Sequence, residues 1–343
     1  MIEFKLPSLG ADMTEGKLLA WHVQPGDRVQ RGQVVAVVDT SKAAIDVEIW
    51  QDGVVQELLV PVGDKVPVGT VLATLLAPGE VPAAAPAMPK APATPGDQAP
   101  TIAVQAQVPA APDRQKEIRQ AIAAAMSRSK RDIPHYYLAE TIPLQVALDW
   151  LQQRNAGRPI TERLLPAVLL FKAVAVALKS RPELNGFYAD GQFHPSAVVH
   201  AGVAISLRGG GLVAPAIHDA QRKPLDQLMR DLADLVRRAR AGSLRSSEMS
   251  DPTITITNLG DQAIESVFGV IYPPQVALVG FGGIATRPWV RDDGGVCAMP
   301  VLCATLAADH RVSDGHQGAL FLAELRALLQ QPQALDCCEE FVA

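Results

Sequence analysis

The residues best suited to chemistry lie in one short stretch near the end of the chain. Residues Asp309 to Gly315, with the sequence DHRVSDG, place four ionisable side chains and a glycine within seven positions. The alternating apolar segment 301–307 before them predicts a half-buried strand, and the apolar spacing from Ala319 to Leu329 predicts a helix. His310 would therefore stand where a strand ends, on a loop that a rigid scaffold presents to a substrate. An imidazole in that place is suited to general base catalysis.

A second stretch of interest lies inside an internal repeat of the first eighty residues. Gly26-Asp27 recurs 37 residues later as Gly63-Asp64, and seven further positions match in the same register. Short alternating runs separated by these turns predict two copies of a small antiparallel β unit. The segment 39–47 joins the two copies, so Lys42 should lie on an exposed hairpin tip far from the termini. Taken alone, most such lysines are only solvated turn residues.

Both stretches carry a family resemblance. The motif DHRVSDG resembles the D-H-R-x-x-D-G signature of the acyltransferase (E2) component of 2-oxo acid dehydrogenase complexes, and residues 310–315 are similar to the H-x-x-x-D-G motif of the related chloramphenicol acetyltransferase fold. The segment DTSKA, residues 39–43, is similar to the E-T-D-K-A lipoylation site and differs from it at Asp39 and Ser41. It lacks the M-K-M of biotinyl domains. The resemblance therefore implies covalent lipoic acid on Lys42.

The domain organisation follows from the same resemblance. It implies a multidomain chain, with an all-β lipoyl domain of flattened β-barrel fold at residues 1–76 and an α/β catalytic domain of the chloramphenicol acetyltransferase type at residues 113–343. Between them, residues 77–112 are almost all Ala, Pro, Val and Gln, which predicts an extended tether. At about 3.1 Å per residue its contour is on the order of 100 Å. It shows no helix-periodic stretch for the small partner-binding domain that family members usually carry there.

The remaining site residues come from the second domain. Residues 253–260, TITITNLG, alternate Thr and Ile, which by itself predicts a strand with a solvated hydroxyl face. The segment resembles the family's T-F-T-I-S/T-N-x-G, and the resemblance makes Thr257 the donor to a tetrahedral oxyanion, worth about 10²–10³ in rate. It makes His310 the base towards the thiol of coenzyme A, worth roughly 10²–10⁴. We expect Asp314 to orient the loop through an arginine or a backbone N–H. Segment 261–266 lacks the family's glycine-rich continuation, which leaves the loop shape open.

Composition excludes several other classes of function. A net charge of −5 over 343 residues gives no electrostatic footprint for nucleic acid. The chain has no run of about eighteen apolar residues, which a membrane span requires. The first residues lack the regions of a signal peptide, so we expect a cytoplasmic protein with no membrane partner. The four cysteines lack the spacing of zinc ligands, so no metal site is expected.

The resemblance also implies partners and leaves alternatives open. It predicts a homotrimer or larger oligomer in which His310 and Thr257 come from different subunits, served by a 2-oxo acid decarboxylase (E1) and dihydrolipoamide dehydrogenase (E3). The predicted reaction moves an acyl group from dihydrolipoyl-Lys42 to coenzyme A. Acetyl, succinyl and branched-chain groups remain open, as does assembly of trimers into a cage. One alternative is a catalytically weak lipoyl carrier or scaffold, favoured by the missing partner-binding domain. The other, a stand-alone acetyltransferase with an amine or hydroxyl acceptor, is disfavoured by the lipoyl domain.

Overall fold

The computed structural model describes residues 2–8, 13, 15–40, 44–76, 111–207, 211–291 and 293–336. The chain divides into an N-terminal unit that ends at Glu117 and a C-terminal unit that begins at Ile118. Lys42 and residues 77–110 of the expected tether lie outside the described residues. Among the helices described, none combines the length and the apolar character needed to span a membrane.

The described residues of the N-terminal unit form eight strands in two antiparallel sheets, and the sequence repeat explains their arrangement. One sheet has the order β1-β8-β6-β3 and the other pairs β5, β4, β2 and β7 in that order. Replacing every strand of one sheet by its repeat counterpart gives the other, so each sheet takes strands from both copies. The strands are β1 (Ile2–Lys5), β2 (Glu15–Trp21), β3 (Arg28–Val29), β4 (Val34–Asp39), β5 (Ala44–Glu48), β6 (Gly53–Leu58), β7 (Lys65–Pro67) and β8 (Val71–Leu76).

The turns of the two copies also share their backbone conformation. Gly26 and Gly63 have φ of 100° and 102°, and Gly32 and Gly69 have φ of 84° and 87°. Residues other than glycine seldom adopt these φ values, which explains why glycine occupies all four of these turn positions. The copies therefore repeat in three dimensions as well as in sequence.

The C-terminal unit is built on a mixed sheet of seven strands. Its order is β15-β12-β17-β18-β20, with β9 on the other side of β20 and β19 paired to the first half of β20. These strands are β9 (His135–Pro143), β12 (Ala201–Val203), β15 (Ala216–Ile217), β17 (Ile254–Asn258), β18 (Ala277–Phe281), β19 (Ala285–Val290) and β20 (Val296–Asp309). The short strands outside it are β10 (Gly186–Ala189), β11 (Gln192–Pro195), β13 (Ile205–Ser206), β14 (Leu212–Val213) and β16 (Leu244–Arg245).

Strand β20 has neighbouring strands on both sides. From Val301 to Asp309 it is hydrogen-bonded along one side to β9, and its residues 304–308 are paired with β18 on the other. Leu306 packs into the main core, while its neighbour Ala307 packs on the opposite face against Ile133, Ile271 and Leu278. Because both faces are covered, the expectation of a half-buried strand was wrong, and almost every residue here is buried.

Six helices complete the described part of the unit. They are α1 (Ala111–Asp132), α2 (Gln145–Arg154), α3 (Pro166–Ala177), α4 (Leu225–Ala241), α5 (Ser246–Ser250) and α6 (Gly315–Leu329), with short 3₁₀ turns at Ile160–Glu162, Pro182–Leu184, Gly260–Gln262 and Pro332–Leu335. Helix α3 is buried nearly all round, and its one charged residue, Lys172, donates hydrogen bonds of 2.7 Å to the carbonyls of Gln221 and Lys223. Helix α4 is amphipathic and ends at Gly242, which has φ of 75°.

Helix α6 follows β20 directly and packs back on the sheet. Its buried face runs through Gly318, Leu322, Leu325 and Leu329, whereas Ala319, expected on that face, is exposed. At Gly318 a Cβ atom would lie 2.8 Å from a methyl of Leu138 and 2.9 Å from one of Leu306. The glycine therefore lets α6 approach β9 and β20 closely, which holds the segment between β20 and α6 in a narrow space.

His135, the first residue of β9, connects the end of α1 to the loop before β18. Its Nδ1 donates to the carbonyl of Ile133 at 2.9 Å, and its Nε2 accepts the backbone N–H of Ile271 at 3.1 Å. This pattern requires the neutral ring. Burial lowers the pKa of His135, assisted by the charge of Lys130 and opposed by the Ile133 hydrogen bond and the charge of Asp309.

The neutral state of His135 predicts a pH dependence of stability. Unfolded His135 takes up a proton near pH 6.5, whereas the folded protein does so only at lower pH. Its stabilisation is therefore present above pH 6.5 and is lost as the pH falls through the lowered pKa. We expect the unfolding free energy of the wild type to fall more between about pH 7.5 and about pH 5.5 than that of His135→Gln, which keeps an acceptor but does not titrate. Denaturant titrations at both pH values measure this, and equal falls would contradict it.

Candidate functional site

The turn after β20 is organised by a buried carboxylate. Asp309 is 0% exposed. Its side chain accepts the backbone N–H of Arg311 at 2.9 Å, the Nε of Arg311 at 2.9 Å and the Nη2 at 2.6 Å. Its carbonyl accepts the N–H groups of Val312 at 3.0 Å and Ser313 at 3.1 Å. One residue therefore fixes the backbone of the whole turn.

His310 lies at the start of that turn, and its side chain is exposed in the single chain. Its backbone N–H donates to the carbonyl of Pro134 at 2.9 Å. The imidazole meets the ring of Tyr136 edge to face, with centroids 5.2 Å apart. The hydroxyl of Tyr136 shares a hydrogen bond of 2.9 Å with the hydroxyl of Ser313. The aromatic contact limits the imidazole on one side and leaves the other open to a substrate.

Asp314, four residues after His310, is the N-cap of α6. Its carboxylate accepts the backbone N–H of Gln317 at 3.0 Å. This hydrogen bond, followed by that of the His316 N–H and the nearby imidazoles, holds the pKa of Asp314 below its usual value. Of the two partners considered for Asp314, the structure shows the backbone N–H, an arrangement that suits orientation of the loop more than proton transfer.

A shallow depression opens beside these residues, with a volume of about 520 Å³. Its walls come from the turn, the first turn of α6 and the 3₁₀ turn before β10. They include Glu183, His310, Arg311, Ser313, Asp314 and Gln317. The lining is polar and charged, and within one chain the depression is open to solvent.

Thr257 lies on β17, and the hydroxyl face of that strand is not solvated as expected. The hydroxyl of Thr253 donates to Oδ1 of Asn185 at 2.6 Å, and that of Thr255 donates to Oε1 of Gln275 at 2.7 Å, both in buried surroundings. These two hydroxyls bond within the fold. Thr257 is half-buried, and within the described residues of the chain its hydroxyl has no hydrogen-bond partner.

One chain does not bring Thr257 and His310 together. Strand pairing sets Thr257 level with Gly280, and Gly280 level with Thr305 of β20. Asp309 lies four residues beyond that level, about 13 Å at roughly 3.3 Å per residue, and two strand spacings of about 4.8 Å also intervene. A substrate atom cannot be hydrogen-bonded to both groups at that separation, so Thr257 and His310 of one chain cannot act on the same substrate atom.

The loop after Gly260 lacks the glycine-rich sequence that the resemblance led us to expect. Ala263 adopts φ of 52°, a conformation that favours glycine. Glycines of the facing segment, rather than of the loop, allow the loop and that segment to approach each other closely. A Cβ at Gly282 would lie 2.0 Å from the Glu265 carbonyl oxygen, and one at Gly280 would lie 2.3 Å from that of Val267. The loop therefore lies directly over the strands next to Thr257.

The Lys42 segment lies between two well-paired strands. Asp39, the last residue of β4, pairs with Ala44, the first residue of β5. Residues 40–43 therefore connect adjacent antiparallel strands, and Lys42 itself lies outside the described residues. A short connection between two neighbouring strands, at the end of a hairpin, is a position that fits a covalently attached arm.

Comparison with known proteins places this arrangement in a class. Residues 112–336 match the sequence profile of the 2-oxoacid dehydrogenases acyltransferase catalytic domain. Residues 2–75 match a biotin/lipoyl profile described as "Biotin-requiring enzyme". The two units are thus of the lipoyl type and the acyltransferase type. The chain belongs to the 2-oxoacid dehydrogenase acyltransferase family, as its motifs predicted.

Individual relatives agree with this assignment. The dihydrolipoyllysine-residue acetyltransferase component of the Zymomonas mobilis pyruvate dehydrogenase complex is 26% identical, over 96% of this chain and 98% of its own. A probable dihydrolipoamide acetyltransferase from Listeria monocytogenes has a TM-score of 0.59 at 27% identity, over 66% of this chain and 94% of its own. The cubic core of a pyruvate dehydrogenase multienzyme complex has a TM-score of 0.60 at 27% identity, over 71% and 99%.

The sequence did not single out two aromatic residues that the structure places at the motif. Tyr136 contacts His310, and Tyr188 lies under the guanidinium of Arg311, whose Cζ is 3.9 Å from the ring centroid. Tyr136 gives a weak sequence signal, because it directly follows residues 133–135, Ile-Pro-His, which resemble the opening of the family's catalytic domain. Tyr188 gives none, because it reaches the motif through the fold alone.

The capping geometry predicts how substitutions of Asp314 behave. Asp314→Asn keeps an oxygen that can accept the Gln317 N–H, so acyl transfer to coenzyme A should stay within several-fold of wild type. Asp314→Ala removes the cap and should lower turnover further. Steady-state assays of both variants, with a urea melt of each as control, measure this. Equal, near-complete loss in both would show that the carboxylate itself takes part in proton transfer.

Proposed function

We propose that this chain transfers an acyl group from dihydrolipoyl-Lys42 to the thiol of coenzyme A within a 2-oxo acid dehydrogenase complex. The observation that carries the proposal is the turn built on Asp309, which presents His310 at the end of β20. Family membership supports the same reaction for the C-terminal unit, and the biotin/lipoyl match of residues 2–75 supports a swinging arm on the N-terminal unit. The proposed domains are residues 1–76, 77–112 as tether, and 113–343.

His310 is the proposed general base. The thiol of coenzyme A has an ordinary thiol pKa of about 8.5, so only a few per cent is thiolate at neutral pH. The imidazole takes the thiol proton as the sulfur attacks the carbonyl carbon of the acyl thioester. When the bond to the dihydrolipoyl sulfur breaks, that proton passes to the departing sulfur. The exposed side of His310, opposite Tyr136, leaves room for both sulfur atoms.

Thr257 is the proposed donor to the oxyanion of the tetrahedral intermediate. Its hydroxyl is free of partners among the described residues of its own chain, unlike those of Thr253 and Thr255. Since Thr257 and His310 are far apart in one chain, the proposal requires the two groups to come from neighbouring subunits. Repeated head-to-tail contacts of that kind close into a ring, and a homotrimer fits the resemblance.

The arm and tether would serve this site by raising local concentration. A flexible or semi-stiff connection holds a tethered donor near its acceptor at roughly millimolar effective concentration. We also propose decarboxylase (E1) and dihydrolipoamide dehydrogenase (E3) partners, because the relatives are named as components of pyruvate dehydrogenase complexes. The same names favour acetyl among the candidate acyl groups. The cubic core formed by one relative supports assembly beyond the trimer.

A carrier or scaffold of low activity is the second candidate. The observation that favours it is the loop after Gly260, where Ala263 adopts a left-handed conformation beside the strand of Thr257. A loop of altered shape there would change access to the Thr257 hydroxyl without disturbing the His310 turn. Acyl transfer from free acetyl-dihydrolipoamide to coenzyme A separates the two candidates, because a scaffold would release no dihydrolipoamide thiol.

A site shared between subunits makes a specific prediction for mixed oligomers. His310→Ala should abolish transfer, and Thr257→Ala should lower it about 10²–10³-fold, with fold and oligomeric state retained. Co-expression of the two variants should restore activity, because about one quarter of randomly assembled interface sites receive both native residues. The measurement is turnover of purified mixed oligomers against each parent. No gain on mixing would place both residues in a site within one subunit or outside the reaction.

Substitution of Lys42 should separate the carrier function of the N-terminal unit from catalysis by the C-terminal unit. In Lys42→Arg the intact mass should lack the lipoyl increment that the wild type shows after expression with lipoate. Overall complex activity should be lost, while transfer from free acetyl-dihydrolipoamide stays near wild type. Lys65→Arg, on β7 of the same unit, is a matched control that should keep the increment. An unmodified wild-type chain, or a modified Lys42→Arg chain, would place the attachment elsewhere or exclude it.

A further inference from the structure

Two side chains of the motif, one on each side of His310, meet a third side chain from a distant part of the sequence. The guanidinium of Arg311 lies between the buried carboxylate of Asp309 and the ring of Tyr188. Tyr188 belongs to the β10–β11 hairpin, which is attached to the loop before β18 by a hydrogen bond of 2.8 Å from the Tyr188 N–H to the carbonyl of Pro274. We refer to Asp309, Arg311 and Tyr188 as the Arg311 clamp.

The contacts of the clamp are of a strong and directional kind. Asp309 receives Nε and Nη2 of Arg311 in a forked pair, and charge-assisted pairs of that geometry hold both partners in one orientation. Since Asp309 is 0% exposed, water does not compete for its oxygens. The flat face of the guanidinium then rests on the Tyr188 ring, which adds a cation–π contact. In keeping with the pair, the pKa of Arg311 is raised, chiefly by its hydrogen bond to Asp309.

The clamp fixes the backbone on both sides of His310. Before it, the N–H of Asp309 donates to the carbonyl of Val276 at 2.9 Å. After it, both the N–H and the side chain of Arg311 are held by Asp309. The N–H of His310 itself donates to Pro134. With these bonds made, the only freedom left to His310 is rotation of its side chain, which Tyr136 limits.

We propose that the Arg311 clamp is a positioning device for His310. It sets the backbone so that the imidazole meets the coenzyme A thiol at the right distance, and Arg311 acts through His310 without contacting the reacting atoms. This inference rests on the proposed function and adds Arg311 and Tyr188 to it as positioning residues. Arg311 also lines the depression beside His310, so direct binding of substrate by its charge is the competing role that the test must exclude.

The test uses full-length oligomer and free acetyl-dihydrolipoamide as donor. Arg311→Met removes the charge and the fork, and Arg311→Lys keeps the charge alone. Tyr188→Leu removes the ring face but leaves the Asp309 pair intact. Tyr188→Phe is its matched control, since it loses only the exposed hydroxyl bond to the Gly191 carbonyl.

A second control addresses loss of an arginine as such. Arg326→Met removes a guanidinium that pairs with Glu140 at 2.9 Å on the surface of the same unit, away from the motif. It should leave kcat and KM unchanged. Thermal unfolding and oligomeric state are measured for every variant, and kinetics are compared only among folded oligomers.

The expected pattern is a loss of kcat without a change in binding. Arg311→Met should lower kcat by about 10–100-fold, with KM for coenzyme A within about twofold of wild type, because small displacements of a catalytic group have effects of that size. Arg311→Lys and Tyr188→Leu should fall between Arg311→Met and wild type, and Tyr188→Phe should match wild type. If Arg311→Met fails to fold because Asp309 is left unpaired, the two Tyr188 variants decide the question.

Four results would overturn the proposal. A rise in KM with unchanged kcat would make Arg311 a substrate-binding residue. Unchanged kcat in Arg311→Met would leave the clamp without a role in catalysis, and so would equal kcat in Tyr188→Leu and Tyr188→Phe. The wild type and His310→Ala are assayed in parallel. No transfer by the wild type overturns the proposed function and the clamp with it, whereas an active wild type with an equally active Arg311→Met overturns the clamp alone.

Discussion

The geometry of the candidate site depends on one buried negative charge. Asp309 is the last residue of β20 and has no solvent exposure, and a carboxylate in that position is stable only when its oxygens are paired. The pairing groups are two atoms of the Arg311 side chain and the Arg311 backbone N–H. Since Arg311 is two residues further on, satisfying Asp309 forces the chain to reverse tightly across His310. The need to pair this buried carboxylate therefore fixes the backbone conformation beside the imidazole of His310.

The sheet makes that burial possible. Strand β20 is the longest strand described, and its last residues are bonded on one side to β9 and on the other to β18, with core residues on both faces. Gly318 brings α6 close against β9 and β20, and Asp314 begins that helix through the Gln317 N–H. The motif therefore lies between two elements that cannot move independently. Its two aspartates have separate tasks, since Asp309 pairs a cation within the turn and Asp314 caps a helix.

Sequence reasoning reached the fold class and the family because both depend on local patterns. The repeat of Gly26 and Gly63 reflects one turn conformation used twice, and the spacing in α4 reflects one buried helix face. It failed where a partner from a distant segment decides the environment. Residues 301–307 were expected to be half-buried, but coverage of the second face comes from Ile133 and Ile271. Ala319 was expected on the core face of α6. Gly318, which carries no apolar side chain, takes that position instead. Tyr188 was missed because it approaches the motif from a distant segment of the chain.

The separation of His310 and Thr257 within one chain determines which substitutions could affect a site that they share. Each group is rigid within its own chain, His310 through the Asp309 turn and Thr257 through a central strand, so neither can be drawn towards the other by a local rearrangement. In the proposed trimer, the distance between the two groups is then set by the contact between subunits. A substitution at that contact would change activity without changing the stability of the single chain, whereas a substitution in the turn would affect only one side of the site. In the proposed mechanism, division of the chemistry between two rigid parts makes assembly of the subunits the step that creates the active site.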